Sequence, residues 1–385
     1  MNRGARKCER ALRIMRTALI ALTACAVALF FFCVPFRALL PAAALSAREP
    51  GEMRVHFLSV GQGDCTIVEF PDGDALVIDA GDGSFSANNE LVRYLKGLDV
   101  TALTLIATHA DADHFGGFAE VMRLFDVQRV FLPALGSDTQ AYRRFLAAVQ
   151  AEGCAADTLV RYDSIVRDSG AYAVCISPHA AGETDENDSS VTLYLSYGGV
   201  NMLLCADIGA SRENSLLAEA ELTEDIFDSG GLRVRLDETQ ILKAAHHGSA
   251  EASGEAWLSY LSPEAAVISC GAGNSYRHPA GEALGRLAQA GAEIYRTDEL
   301  GHIVVSVKDG AYTSGSGGEG GRSRRPENRT ARDCFAYSKG FPPGSGWTQR
   351  RSTRISPCGS RDTGGARGRR SSAIALRSCR ACAAA

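Results

Sequence analysis

Ten residues restrict this chain more than any others. Thr108-His109-Ala110-Asp111-Ala112-Asp113-His114-Phe115-Gly116-Gly117 follows directly on an apolar, strand-like run over residues 101–107. Two imidazoles and two carboxylates within six residues cannot be packed as an ordinary core. Without a compensating charge they repel one another or lose hydration at high cost. A cation answers both problems; a merely solvated polar loop is the alternative. In an extended loop His109, Asp111 and Asp113 point one way, and His114 swings in as a helix begins. Gly116 and Gly117 let the backbone come close.

Strands and helices alternate around this loop. Apolar runs at 53–59, 66–70, 75–78, 101–107, 127–132, 191–197, 201–205, 241–245, 265–270 and 303–307 read as strands. Segments 88–97, 117–125, 139–152, 256–261 and 281–290 carry apolar residues at helical spacing. Two sheets with helices outside are the natural layering of such an α/β chain.

Charge divides the chain into three. Residues 1–47 hold seven Lys/Arg and one acid, and residues 313–385 hold fifteen and four. The stretch 48–312 holds 18 bases against 40 acids, a net charge of −22. The apolar run 17–36 behind Arg3, Arg6, Lys7, Arg10, Arg13 and Arg16 reads as a signal peptide or membrane anchor. The basic flank stays inside, so the rest of the chain is expected to be extracytoplasmic. Residues 313–385 are Gly-, Ser- and Arg-rich without apolar period and read as a disordered tail. Five of the twelve cysteines fall within 48–312, none with zinc-like spacing, and read as buried thiols.

The ligand loop resembles the H-x-H-x-D-H motif of the metallo-β-lactamase superfamily, with Asp111 in place of the second His. It is more similar still to the H-P-D-A-D-H form in the soluble domain of the ComEC competence DNA-uptake family. Val60-Gly61-Gln62-Gly63-Asp64, Val77-Ile78-Asp79-Ala80-Gly81, Asn187-Asp188-Ser189-Ser190 and Leu203-Leu204-Cys205-Ala206-Asp207 resemble that family's ordered motifs. So do Leu242-Lys243-Ala244-Ala245-His246-His247-Gly248-Ser249, Asn274-Ser275-Tyr276-Arg277-His278-Pro279 and Arg296-Thr297-Asp298. The match spans about Met53 to Val307. The family's membrane channel has no counterpart, so the expected form is the stand-alone, exported hydrolase.

The resemblance implies a four-layer αββα sandwich over residues 48–312 with two divalent ions at one edge. His109 and Asp111 would hold the first ion and Asp113 and His114 the second, with Asp207 bridging. His246 would complete the second site. Strand alternation favours it over His247, since Leu242, Ala244 and His246 share a face; His247 would then face substrate as a proton carrier. Asp79 and Asn187 are expected to support the ligands from behind, Asp79 by fixing the loop through hydrogen bonds. The superfamily's further His, about twenty residues before the bridging Asp, is replaced by Asn187 and Ser190; the nearest imidazole, His179, lies further upstream. An oxygen-rich first site favours Mn²⁺ or Mg²⁺, and the His-richer second site suits Zn²⁺.

Such an ion pair lowers the pKa of a bound water to about 7 and makes it a nucleophile for hydrolysis. Asp113, His247 and His278 are the catalytic candidates. No P-loop, dinucleotide fingerprint or strand-borne nucleophilic serine competes. An anionic phosphoester is the expected substrate, either DNA or a smaller diester, and the acidic middle region argues for the smaller. The other open readings are a hydrolase of a different ester, lactone or β-lactam, and an exported metal-binding scaffold without activity. The sequence points to no protein partner.

Overall fold

The computed structural model describes residues 48–98, 100, 102–178, 184–223, 227–229, 231–316 and 322–324, together with Met15. The signal or anchor segment 17–36, His179 and almost all of the tail lie outside these. Among the described residues no helix is long and apolar enough to cross a membrane.

Two mixed sheets form the centre. One has nine strands, and its middle runs Ile303–Lys308, Met53–Phe57, Thr66–Glu69, Asp74–Ile78, Ala102–Ile106, Val127–Leu132. The other has seven, ordered Glu293–Arg296, Ala265–Ile268, Ile241–Lys243, Val200–Leu204, Thr192–Tyr197, Tyr172–Ser177, Ser164–Val166. Strand alternation sorts the side chains into three apolar layers. Val55, Phe57, Leu76 and Ile78 of the first sheet meet Leu193, Leu195, Met202 and Ile241 of the second. On its outer face the first sheet presents Ile67, Val77 and Leu105 to the helices Phe85–Leu95, Phe118–Leu124 and Gln140–Glu152. The second presents Leu203, Leu242 and Ala266 to Ala210–Thr223, Glu255–Leu261 and Gly281–Gln289. This is the αββα sandwich expected.

Local signals set the ends of two helices. Ser84 Oγ accepts from Ala87 N, so the first helix starts at Phe85 rather than Asn88. Thr139 caps Gln140–Glu152, and Gly153 ends it in the left-handed region. The helix Ala210–Thr223 and the strand Tyr172–Ser177 add to the elements that apolar period predicts. The first sheet also continues beyond residue 312, through Ala311–Ser316 to Arg322–Arg324. Tyr312 explains that extension, because its ring is buried and its hydroxyl donates to Glu264 at 2.9 Å.

Topology places the site. Asp74–Ile78 is parallel to Ala102–Ile106, and Val200–Leu204, Ile241–Lys243 and Ala265–Ile268 are mutually parallel. The segments leaving the C-terminal ends of these five strands carry Asp79, His109, Asp207, His247 and Ser269.

Candidate metal centre

Asp79 organises the loop over residues 108–117. Its backbone is left-handed, with φ of 58°, which turns the carboxylate under the next strand end. Thr108 donates to it twice, N to Oδ1 at 2.9 Å and Oγ1 to Oδ2 at 2.8 Å. His114 Nδ1 donates to Oδ2 at 2.7 Å. The Thr108 hydroxyl, its proton directed at Asp79, accepts from His109 Nδ1 at 3.0 Å. His247 Nδ1 donates to the Ser269 carbonyl at 3.1 Å. Each of the three imidazoles therefore has its Nδ1 tied and its Nε2 turned inward.

Those inward atoms converge. His114 Nε2 and His247 Nε2 stand 3.4 and 3.3 Å from Asp207 Oδ2. His247 Nε2 is 3.4 Å from Asp113 Oδ2. The His109 and His114 rings are 4.1 Å apart, and those of His114 and His247 are 5.3 Å apart. Ligand atoms of His109, His114 and Asp207 lie within 4.8 Å of one another, as do those of Asp113, His114 and His247. Nε2 of all three histidines, Asp207 Oδ1 and Asp64 Oδ1 are buried without a hydrogen-bond partner. Buried polar atoms are normally paired, so the bare Nε2 atoms of His109 and His114 beside the Asp207 carboxylate, with His247 Nε2 at 3.3 Å from that carboxylate, fit a divalent cation.

Electrostatics agree. Burial lowers the basicity of His247, but the Asp207 and Asp64 carboxylates outweigh it and push the imidazole up to about 10. His114 is likewise raised well above its ordinary value by Asp207 and Asp79 against the effect of burial. Burial disfavours the Asp207 carboxylate, yet His247 and His114 hold it well below its usual range. Positive charge is thus demanded at the cluster, and a metal ion would supply it in place of protons.

The structure departs from strand alternation at His246. The strand ends at Lys243, and both His246 and His247 have positive φ, 49° and 53°. Period-two facing does not survive such a turn. His247 is buried within the cluster, whereas His246 is 30% exposed with its Nε2 3.8 Å from Asp207. Of the loop carboxylates, Asp113 enters the cluster, while Asp111 is half exposed with Oδ2 3.7 Å from His109 Nε2. His278 lies beside the site, its ring 6.4 Å from that of His247 and its Nδ1 buried and unpartnered. Burial, with His247 and His246 nearby, lowers its pKa. Asn187 sits in the turn before Thr192–Tyr197, its carbonyl accepting from Ser190 N. Its neighbour Asp188 ties that turn to the Asp207 loop by accepting from Gly209 N at 2.9 Å.

Three further residues border the cluster. Asp64 follows a glycine in a turn-like stretch, yet it is buried, and Lys243 Nζ donates to its Oδ2 at 2.6 Å. Its Oδ1 is 3.4 Å from His247 Nδ1. Lys243 is itself buried, and a lysine at the end of an otherwise apolar strand is the one signal of this pair in the sequence. Glu186 has a buried, unpartnered Oε1, and burial followed by the charge of Asp111 raises its pKa.

Comparison with known proteins gives a consistent result. A model of the Metallo-beta-lactamase superfamily matches residues 58–272. ComE operon protein 3 of Bacillus subtilis (strain 168) is 28% identical over 275 residues, which cover 67% of this chain and 33% of that protein. Competence protein ComA of Neisseria gonorrhoeae is 27% identical over 260 residues, 67% of this chain and 33% of that one. The chain thus spans about a third of the length of these curated relatives. Among solved structures, Igni18, a metallo hydrolase from Ignicoccus hospitalis KIN4/I, is 15% identical with a TM-score of 0.42, covering 66% of this chain and 99% of its own.

Proposed function

The chain belongs to the metallo-β-lactamase superfamily, and on that premise we propose that it is a divalent-metal-dependent phosphodiesterase. The observation that carries this reading is the convergence of bare, buried Nε2 atoms of His109, His114 and His247 on the Asp207 carboxylate. His109 and Asp111 would hold one ion, and Asp113, His114 and His247 a second, with Asp207 between them. His247 takes the place in that set which strand alternation gives to His246. Bound cations there, Zn²⁺ or Mn²⁺ with Mg²⁺ as a further option, supply Lewis acidity and lower the pKa of water.

The protein's own groups do the rest. Asp79 fixes His114 through Nδ1, and the Ser269 carbonyl fixes His247, so neither imidazole rotates as charge shifts. Asp113, 34% exposed at its side chain and 3.4 Å from His247 Nε2, would orient the attacking water. His278, beside the cluster with an unpartnered Nδ1, would help neutralise the negative charge that develops on the substrate oxygens. A phosphodiester suits the oxygen-rich first site, and the competence relatives make nucleic acid a candidate source of one. Extracytoplasmic action, with residues 17–36 as signal or anchor, completes the proposal.

The test is hydrolysis of bis-p-nitrophenyl phosphate with Zn²⁺, Mn²⁺ or Mg²⁺, beside linear DNA and nitrocefin. Turnover of the diester that depends on added metal supports the reading. Nitrocefin turnover without diester cleavage rejects it.

A further inference from the structure

We propose that Tyr276 and Arg277 form a subsite for an unpaired nucleobase and its phosphate at the mouth of the metal centre. The inference rests on the phosphodiesterase reading and narrows its substrate to one that exposes a base face.

Tyr276 is 67% exposed, ahead of Phe85 at 63% among the large apolar side chains described between residues 48 and 324. Its ring is nevertheless held. It stacks on His278 at 5.8 Å with an interplanar angle of 27°. His278 in turn lies 6.4 Å from His247 at 29°. Three nearly parallel rings thus lead from the surface to a proposed metal ligand, and the outermost keeps most of its surface free. Offset stacking in this distance range is favourable and geometrically selective.

The loop behind the ring is built to present it. Arg277 has φ of 63°, a left-handed conformation that a non-glycine residue seldom adopts. Asn274 holds the turn in place: its Oδ1 accepts from His278 N at 3.0 Å, and its Nδ2 donates to the Gly271 carbonyl at 2.8 Å. Backbone strain fixed by side-chain bonds is characteristic of functional loops. Arg277 is exposed and makes no ion pair among the described residues.

Charge selects the ligand. A net charge of −22 over residues 48–312 opposes holding a polyanion by counterion displacement along the domain. Grip must come from short-range contacts near the cleaved bond. Base–aromatic stacking is such a contact, and it is sequence-tolerant because every base has a π face. A duplex hides those faces, so the ligand is a single strand or a nucleotide-sized ester.

The experiment uses the full chain. Cleavage and binding are measured for a short single-stranded deoxyoligonucleotide, the same strand with abasic residues, its duplex, and a dinucleotide, with wild type, Tyr276→Ala and Tyr276→Phe. Wild type should prefer the base-bearing strand over the abasic one by about tenfold, the scale of one stack. Tyr276→Ala should lose that preference and Tyr276→Phe should keep it. Equal handling of the dinucleotide and the strand identifies a nucleotide-sized ligand, and a large advantage for the strand identifies a polymer; both support the subsite. Cleavage with no base preference, or a preference unchanged in Tyr276→Ala, overturns the subsite and leaves the phosphodiesterase reading intact. Base-dependent binding lost in Tyr276→Ala, without cleavage of any diester, supports the subsite and overturns the reading.

Discussion

Asp79 Oδ2 accepts the Nδ1–H of His114 at 2.7 Å, so a carboxylate on one strand end decides which imidazole nitrogen of the ligand loop faces the cluster. The same carboxylate takes both donors of Thr108. Asp79→Ala should therefore weaken metal binding by about 10- to 100-fold, the usual cost of losing an orienting partner. Chelator competition on the purified variant measures this. Unchanged affinity would mean that Asp79 merely closes a turn.

His247 and His246 should separate cleanly. His247→Ala removes a buried, inward-facing nitrogen and should lower bound metal per chain, with turnover falling by orders of magnitude. His246→Ala should retain the metal. Elemental analysis of both variants decides between them, and metal loss on removing His246 alone would restore the assignment by strand alternation.

Lys243 and Asp64 form an ion pair with both partners buried. Breaking one side leaves a buried charge uncompensated, which costs about 3–5 kcal/mol. Lys243→Met should lower stability by that order in denaturant unfolding. The double variant Lys243→Met/Asp64→Asn should recover part of the loss, because no bare charge remains. A double variant less stable than the single one would speak against this pairing.

Glu90 gives the pH dependence a defined window away from the metal cluster. Its bond to His302 leads, and with Arg93 it overcomes burial to pull the carboxyl from 4.5 to about 2. A lowered folded-state pKa stabilises above the unfolded value, and this contribution disappears as pH falls from 4.5 through 2. The Tm advantage of wild type over Glu90→Gln should be full at neutral pH and shrink through that window. An advantage that grew on acidification would contradict the assignment.

Much of the fold and part of the site are legible in the sequence. The ligand loop is legible because imidazoles and acids crowded at a strand end are costly unless a cation joins them. The layers are legible because apolar runs of strand and helix length alternate. The choice between His246 and His247 is not, since facing depends on where Ile241–Lys243 stops and on two left-handed residues that no periodicity reveals. The Asp64–Lys243 pair joins positions far apart in sequence. Helix Ala210–Thr223 escapes because its apolar stripe is weak, with only Leu216, Leu217 and Ala220 among its described apolar contacts to the core. The strand past 312 is hidden by Gly and Ser, which signal loop by composition while Tyr312 anchors the edge.

Anomalous diffraction from crystals soaked in Mn²⁺ or Zn²⁺ tests the central claim most directly. The expected result is a peak within bonding distance of His114 Nε2, His247 Nε2 and an Asp207 oxygen. A peak held only by exposed carboxylates, with the three imidazole nitrogens still bare, would contradict it.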